Sequence, residues 1–298
     1  MTGAARPFVD RPPGSVASAA AVATQAAAHW GLPEPALVRL FMNAIFSAGD
    51  VILRVSRPTA PAEAAIQLAR LLGSVGVCVP VPAREDAVHD GDLAVTAWER
   101  LVPVSDDPDW RAVGEMVARV HALDQDVLPP AYPLPDGEDF PWWQFDDLLA
   151  DVGGMLDPPA RRGIEAALER YGGWSDGVTR VVCHGDVHPG NVIATAAGTV
   201  LLDWDLLCSA PAAWDHAAML TWASRWGGPP RWYTDFAAGY GVSLGDDPVA
   251  IALAELRLVA ATLMRLRAGR VDPAAMPEAE RRLAYWRGDP DAPQWTAV

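Results

Sequence analysis

The reading turns on His184-Gly185-Asp186-Val187-His188-Pro189-Gly190-Asn191, followed shortly by Leu201-Leu202-Asp203-Trp204-Asp205. Apolar Val181-Val182-Cys183 runs into the first group and apolar Thr199-Val200-Leu201-Leu202 into the second, so two short strands end in polar turns. A strand pair of this kind projects Asp186, Asn191 and Asp203 toward one cleft. Those residue types suit phosphoryl transfer. One carboxylate orients an attacking hydroxyl and accepts its proton, while a second carboxylate and an amide oxygen hold Mg2+ against phosphates. Hard oxygen donors match Mg2+, which keeps several waters and needs few protein groups.

Outward from this stretch, the texture divides the chain. From Ala36, ALVRLFM, NAIFSAG and DVILRVS read as strands, with Gly49-Asp50 as a hairpin turn. Pro58 and Pro61 open a helix, AEAAIQLARLLGSVG, whose Ala65, Leu68 and Leu72 recur at helical spacing. VCVPVPARED reads as extended and proline-broken, and DLAVTAWERLV as a strand ending at Pro103. Beyond it, DWRAVGEMVARVHALD is an amphipathic helix, a further helical stretch covers about 144–171, and helices dominate from Pro211. The expected fold is therefore α+β and two-lobed: residues 1–98 as an antiparallel sheet with a helix, 99–103 as a hinge, and 104–298 as a mainly helical lobe carrying one hairpin.

Composition narrows the classes. A net charge of −15 and the absence of any lysine argue against nucleic-acid binding, which needs a basic footprint. They also exclude a lysine Schiff base or lysine phosphate clamp, leaving arginine or a metal to supply positive charge. Acidity permits a cationic substrate, although solubility explains the same residues. Cys78, Cys183 and Cys208 are odd in number, lack CxxC spacing and lie in apolar runs, which points to core packing in a reducing cytoplasm. Residues 12–33, behind Arg6 and Arg11, mimic an export signal, but alanine is weakly apolar and Thr24, Gln25 and His29 interrupt the run; an alanine-rich amphipathic helix is the better reading. No other segment approaches the roughly 20 apolar residues of a membrane span.

The Asp186-to-Asn191 interval has the D-x-x-x-x-N spacing of kinase catalytic loops. H-G-D-x-x-x-x-N arises by chance in roughly one chain in five hundred of this length, so with Asp203 nearby the signal is specific. HGDVHPGN followed by LLDWD resembles the aminoglycoside phosphotransferase and choline kinase-like family, small-molecule kinases of protein-kinase-like fold. VILRVSRP resembles the family's third strand, LARVHAL its helix before the substrate region, and PAAWDHAAM the segment after the metal aspartate, so the likeness spans about residues 40–265. The resemblance implies Asp186 as catalytic base, Asn191 and Asp203 as Mg2+ ligands, and Arg54 as the contact to nucleotide phosphates, with Glu63 as its carboxylate partner. It also implies ATP or GTP lying against Glu99 and Leu101, with Asn43 in the loop over the phosphates, and phosphorylation of a small-molecule hydroxyl. No protein partner follows from it.

Three features depart from the pattern: Arg54 stands where protein kinases use lysine, no G-x-G-x-x-G precedes it, and Trp204 replaces the phenylalanine of D-F-G. Two other functions stay open on the residues alone. One is a kinase-like protein that binds nucleotide without transfer. The other is a metal-dependent hydrolase using His184, Asp186 and His188. Asp205 reads equally as a turn cap or a site group, Asp215 as a brace for the loop, and His121 as a packed helix residue.

Overall fold

The computed structural model describes residues 13–58, 60–175 and 177–296. Ala36–Leu40 (β1), Ala44–Ala48 (β2), Val51–Ser56 (β3), Val88–Asp90 (β4) and Leu93–Glu99 (β5) form one sheet in the order β1-β2-β3-β5-β4, antiparallel throughout. The Gly49-Asp50 turn closes the central hairpin with Ala48 opposite Val51. Strand β4 lies between the extended 77–86 run and the strand expected from Asp92, in residues given no element from the sequence; it forms because the 91–92 turn folds Val88–Asp90 back onto Leu93–Val95.

Side chains alternate across this sheet. Phe46, Leu53, Val55, Val95 and Ala97 point to one face and are buried under Val16–His29 (α1), whose Ala19, Val22, Ala23, Ala26 and Ala27 pack against them. Alanine on the helix lets it sit close to the sheet, so the alanine-rich segment belongs to the core. Ser15 caps its first turn. Arg6, Arg11 and Pro12, which completed the signal-like pattern, lie outside the described residues. Ile52, Arg54 and Thr96 take the alternate positions and face the other way, where Ala62–Ser74 (α2) brings Ala62 and Ala65 beside Arg54 and Thr96 in one cleft.

The helical part is organised around Pro248–Val271 (α8), apolar on nearly every side as a central helix must be. Phe145–Val152 (α4), Pro158–Tyr171 (α5) and Met276–Trp286 (α9) cover it through Leu148, Ile164, Leu258, Leu263 and Leu283. The helical stretch expected at 144–171 is two helices, because Gly153-Gly154 and Pro158-Pro159 interrupt it and Asp157 caps the second. Trp110–His121 (α3) and Ala213–Trp226 (α6) flank two short ladders, Val181–Cys183 (β6) with Cys208–Ala210 (β9), and Val192–Thr195 (β7) with Gly198–Leu201 (β8). Cys183 and Cys208 are buried opposite each other, whereas Cys78 is exposed, contrary to its expected core role: it lies in the extended 77–80 run, where Val77 and Val79 take the inward positions. No helix among the described residues is long and apolar enough to cross a membrane.

Arg231–Tyr240 (α7) crosses α3 at a glycine pair. A Cβ on Gly114 would lie 2.0 Å from the Phe236 carbonyl oxygen, and one on Gly239 would lie 1.9 Å from that of Arg111. The obstacles are backbone, so they cannot swing aside. We expect Gly114→Ala or Gly239→Ala to destabilise by about 1–3 kcal/mol or more. Thermal melts of the single variants check this, and an unchanged melting temperature would show that the helices do not meet here.

Candidate active site

The 184–191 loop is held before it does any chemistry. Asp215, buried near the start of α6, accepts the backbone N–H groups of His184 (2.8 Å) and Gly185 (2.9 Å), and takes a third bond from His121 Nε2 (3.0 Å). His121 Nδ1 in turn lies 3.0 Å from the Tyr240 hydroxyl, which the α3–α7 crossing brings into reach. Gly185 has φ +93°, and a Cβ there would lie 1.9 Å from the Leu206 carbonyl oxygen, so no other residue fits this turn. His184 is fully buried; its Nδ1 accepts the Asp186 N–H (3.2 Å) and its Nε2 donates to the Leu202 carbonyl (2.8 Å). Both nitrogens are thereby spent on the loop's shape.

The β7–β8 register does the next part. Val192 faces Leu201, and Leu202 N–H donates to the Asn191 carbonyl at 2.8 Å, so Asn191 and Asp203 emerge at the same end of one hairpin. Asn191 Nδ2 donates to the Asp186 carbonyl (2.9 Å) and to its carboxylate Oδ2 (3.3 Å). The other contacts to that carboxylate are His188 Nε2 on Oδ2 at 3.2 Å and Arg257 Nη2, from α8, on Oδ1 at 2.6 Å. Arg257 also donates to the Gly185 carbonyl (3.3 Å). His188 Nδ1 accepts the Gly190 N–H at 3.0 Å, which leaves Nε2 as the donor. Burial by itself would raise the Asp186 pKa, but His188, then Arg257 and His184, outweigh it and hold the carboxyl well below the usual carboxylate range.

Asp203 turns the chain with φ +59°, the one positive φ at a non-glycine among the described residues. Asp tolerates this conformation better than most side chains. Among those residues its carboxylate takes no hydrogen bond. It is open to the groove yet hemmed by protein, so thinned solvation and then the like charge of Asp205 raise its pKa; Arg54 pulls the other way, and Asp186 adds to the rise. Across the groove Arg54 on β3 forms an ion pair with Asp205. Burial disfavours the guanidinium's charge, but Asp205 and Asp203 override that and raise its pKa. Tyr132 closes this side, its hydroxyl donating to the Trp204 carbonyl at 2.6 Å; burial and then Asp205 raise the phenol's pKa.

The structure thus brings Asp186, Asn191, Asp203 and Arg54 to one groove. It does not pair Arg54 with Glu63. Glu63, at the first turn of α2, bonds His89 Nε2 at 3.0 Å, because that turn faces β4 and Asp205 occupies the guanidinium first. Glu99 is the exposed last residue of β5, its N–H donating to Val81, and Leu101 is half-buried in the link that follows. Asn43 sits in the turn between β1 and β2, where its carbonyl accepts the Phe41 N–H. Arg257 and Tyr132 were absent from the sequence reading. A charge interrupting the apolar run of α8 was the available sign of Arg257; Tyr132, in a proline-rich loop, gave none.

With both His184 nitrogens and both His188 nitrogens engaged in the loop, the HxDxH set offers no free imidazole lone pair to a transition metal. Residues 45–259 match the model of the phosphotransferase enzyme family. The chain belongs to that family. The fold agrees with solved structures of low identity. Aminoglycoside 2'-phosphotransferase-IIIa in its GDP complex is 16% identical, with 90% of this chain and 97% of that one covered at a TM-score of 0.69. Macrolide 2'-phosphotransferase MphH from Brachybacterium faecium is 20% identical, covering 91% and 99% at 0.57. A choline/ethanolamine kinase family protein from Mesorhizobium loti is 18% identical, covering 87% and 88% at 0.58. No curated protein sequence matches the chain.

One titratable group beside the brace of this phosphotransferase ties its stability to pH. His216 is fully buried next to Asp215, ringed edge-on by Phe236 and Tyr240. Its Nδ1 lies 3.3 Å from the Tyr233 hydroxyl, and its Nε2 has no hydrogen-bond partner among the described residues. Burial, and then the neighbouring His121, push its pKa down to about 4. Unfolding frees it to titrate near 6.5, so the unfolded chain binds more protons between those values and stability falls as pH drops through that window, by up to about 3 kcal/mol. His216→Phe should flatten that part of the melting-temperature profile from pH 7 to 4. An unchanged slope would assign the acid sensitivity to other groups.

Proposed function

We propose that this phosphotransferase is a nucleotide-dependent kinase that moves the γ-phosphoryl group of ATP or GTP to a hydroxyl of a small molecule. The observation that carries the reading is the contact of the Asp186 carboxylate with Asn191 at the end of the hairpin that also presents Asp203, facing Arg54 across the groove. Nucleotide would enter between the 1–98 sheet unit and the 104–298 helical unit, its base against Glu99 and Leu101 and its phosphates under the Asn43 turn. Glu63, engaged with His89, would act there only by shaping the start of α2.

In this mechanism Asp186 receives the acceptor hydroxyl and takes its proton as the new bond to phosphorus forms. Its lowered pKa keeps it anionic at neutral pH, so it acts chiefly by orienting the hydroxyl. Arg54 donates to the phosphate oxygens, for which a guanidinium is suited by its paired N–H groups, and Asp205 keeps it aimed into the groove. The donor set fits Mg2+: the Asp203 carboxylate is free of hydrogen bonds among the described residues, Asn191 has its amide oxygen left over once Nδ2 is used, and both are hard oxygen ligands. Asn191 and Asp203 would hold the ion, which when bound neutralises charge on the transferring phosphoryl group. We place the reaction in the cytoplasm, where nucleoside triphosphates are abundant.

Nucleotide consumption against a panel of aminoglycosides, macrolides, amino sugars and choline, with mass spectrometry of the product, tests the reading. Asp186→Asn should lower turnover about 10²- to 10⁴-fold, and Asp203→Asn should lower it further. Near-normal turnover by Asp186→Asn would defeat the assigned mechanism. Mg2+-dependent nucleotide binding with no product from any acceptor would favour a non-catalytic binder.

A further inference from the structure

Because the Asp203 carboxylate takes no hydrogen bond among the described residues, its direction is set by the backbone turn that carries it. That turn has φ +59°, a conformation that persists at a non-glycine residue only where its surroundings hold it. Two side chains hold the backbone on either side. His184 Nε2 donates to the Leu202 carbonyl at 2.8 Å, just before Asp203. The Tyr132 hydroxyl donates to the Trp204 carbonyl at 2.6 Å, just after it. Leu207 N–H reaches that same carbonyl at the longer distance of 3.2 Å. The Trp204 indole is fixed separately, its Nε1 donating to the Leu201 carbonyl at 3.3 Å and its ring edge-on to His184.

His184 belongs to the loop motif itself, whereas Tyr132 lies 72 positions before Trp204 in the chain. Its segment is stiff by composition, since Pro129, Pro130, Pro133 and Pro135 each fix their own φ. It is also pinned: Tyr132 N–H closes onto the Pro129 carbonyl at 2.8 Å, and the Pro135 carbonyl accepts the Ser209 N–H of β9 at 2.8 Å. The Tyr132 ring packs on the core that α2, α3 and β8 share, and it lines the cleft beside Arg54 and Asp205. The phenol is protonated at neutral pH, so its hydroxyl is available as a donor.

We propose that Tyr132 is a positioning residue for the metal site: through the Trp204 carbonyl it holds the Asp203 turn in the geometry that receives a divalent cation. The proposal rests on the kinase reading, in which Asn191 and Asp203 take the metal. Asn191 is held by its own bonds to Asp186, so loss of the Tyr132 hydroxyl acts on Asp203 and not on the other ligand. Removing a group that orients a metal ligand typically lowers metal affinity about 10- to 100-fold. Here the hydroxyl acts through one carbonyl with a second donor, which sets the expectation at the lower end.

Tyr132→Phe on the full chain tests it, with Mn2+ as the probe and its binding read by electron paramagnetic resonance at saturating ADP. Mn2+ affinity should fall about tenfold, while ADP affinity measured without metal stays unchanged. Asp203→Asn should weaken Mn2+ further, and adding Tyr132→Phe to it should lower the affinity no more, since the hydroxyl acts through that carboxylate. Wild-type Mn2+ affinity in Tyr132→Phe, even with a lowered melting temperature, would overturn the proposal and leave Tyr132 a structural residue. Additive losses in the double variant would overturn it too. So would an equal fall in metal-free ADP affinity, which would assign the hydroxyl to Arg54 instead. Failure of the unaltered chain to bind ADP or Mn2+ would sink the kinase reading itself, and the proposal with it.

Discussion

Three hydrogen bonds onto the buried carboxylate of Asp215 underlie the arrangement of the groove. Two of the donors are backbone N–H groups at His184 and Gly185, in a turn too tight and too buried for water to serve them. Left unmet, each would cost on the order of 1–3 kcal/mol. Their satisfaction by one side chain fixes where the loop leaves β6, and therefore where Asp186 begins. His184 carries the constraint onward by bonding both the Asp186 N–H and the Leu202 carbonyl, which ties the loop to the strand that delivers Asp203.

On this frame the groove concentrates negative charge: Asp205 and Asp186 both act on Asp203, and two arginines answer them, Arg54 on Asp205 and Arg257 on Asp186. Arg54 comes from the sheet and Arg257 from the central helix. In a chain without lysine, fixed positive charge at such a place falls to arginine, whose planar fork can hold a carboxylate and still present an N–H to a ligand. Of these three carboxylates, that of Asp203 alone takes no hydrogen bond among the described residues. The contrast follows from the chemistry of the partners: His188 and Arg257 hold the Asp186 pKa down, whereas burial and then Asp205 raise that of Asp203 against the pull of Arg54.

Much of this was legible before folding. Alternation in VILRVS placed Leu53 and Val55 on one face and Arg54 on the other, and the helical spacing of Val113, Met116, Val117 and Val120 marked α3. The loop motif announced Asp186, Asn191 and Asp203 because a fixed spacing around a hairpin is a local property. Glu63 was placed with the wrong partner, since a helix start seen in sequence does not say which way its first turn faces once it docks. The break at 153–157 was written in Gly153-Gly154 and Pro158-Pro159, yet apolar periodicity on either side masked it.

The sequence by itself determined the strand and helix periods, the hairpin turns, the motif residues and the absence of a basic nucleic-acid footprint, because each depends on neighbours a few positions apart or on composition. Only the tertiary structure decided that Arg54 meets Asp205, that His121 and Tyr240 stand behind Asp215, and that Arg257 and His188 flank the Asp186 carboxylate. The Arg54–Asp205, His121–Tyr240, His121–Asp215 and Arg257–Asp186 pairings join residues about 70 to 150 positions apart. No local pattern encodes them, since they exist only when packing of helices on α8 and the close crossing of α3 and α7 bring the elements together.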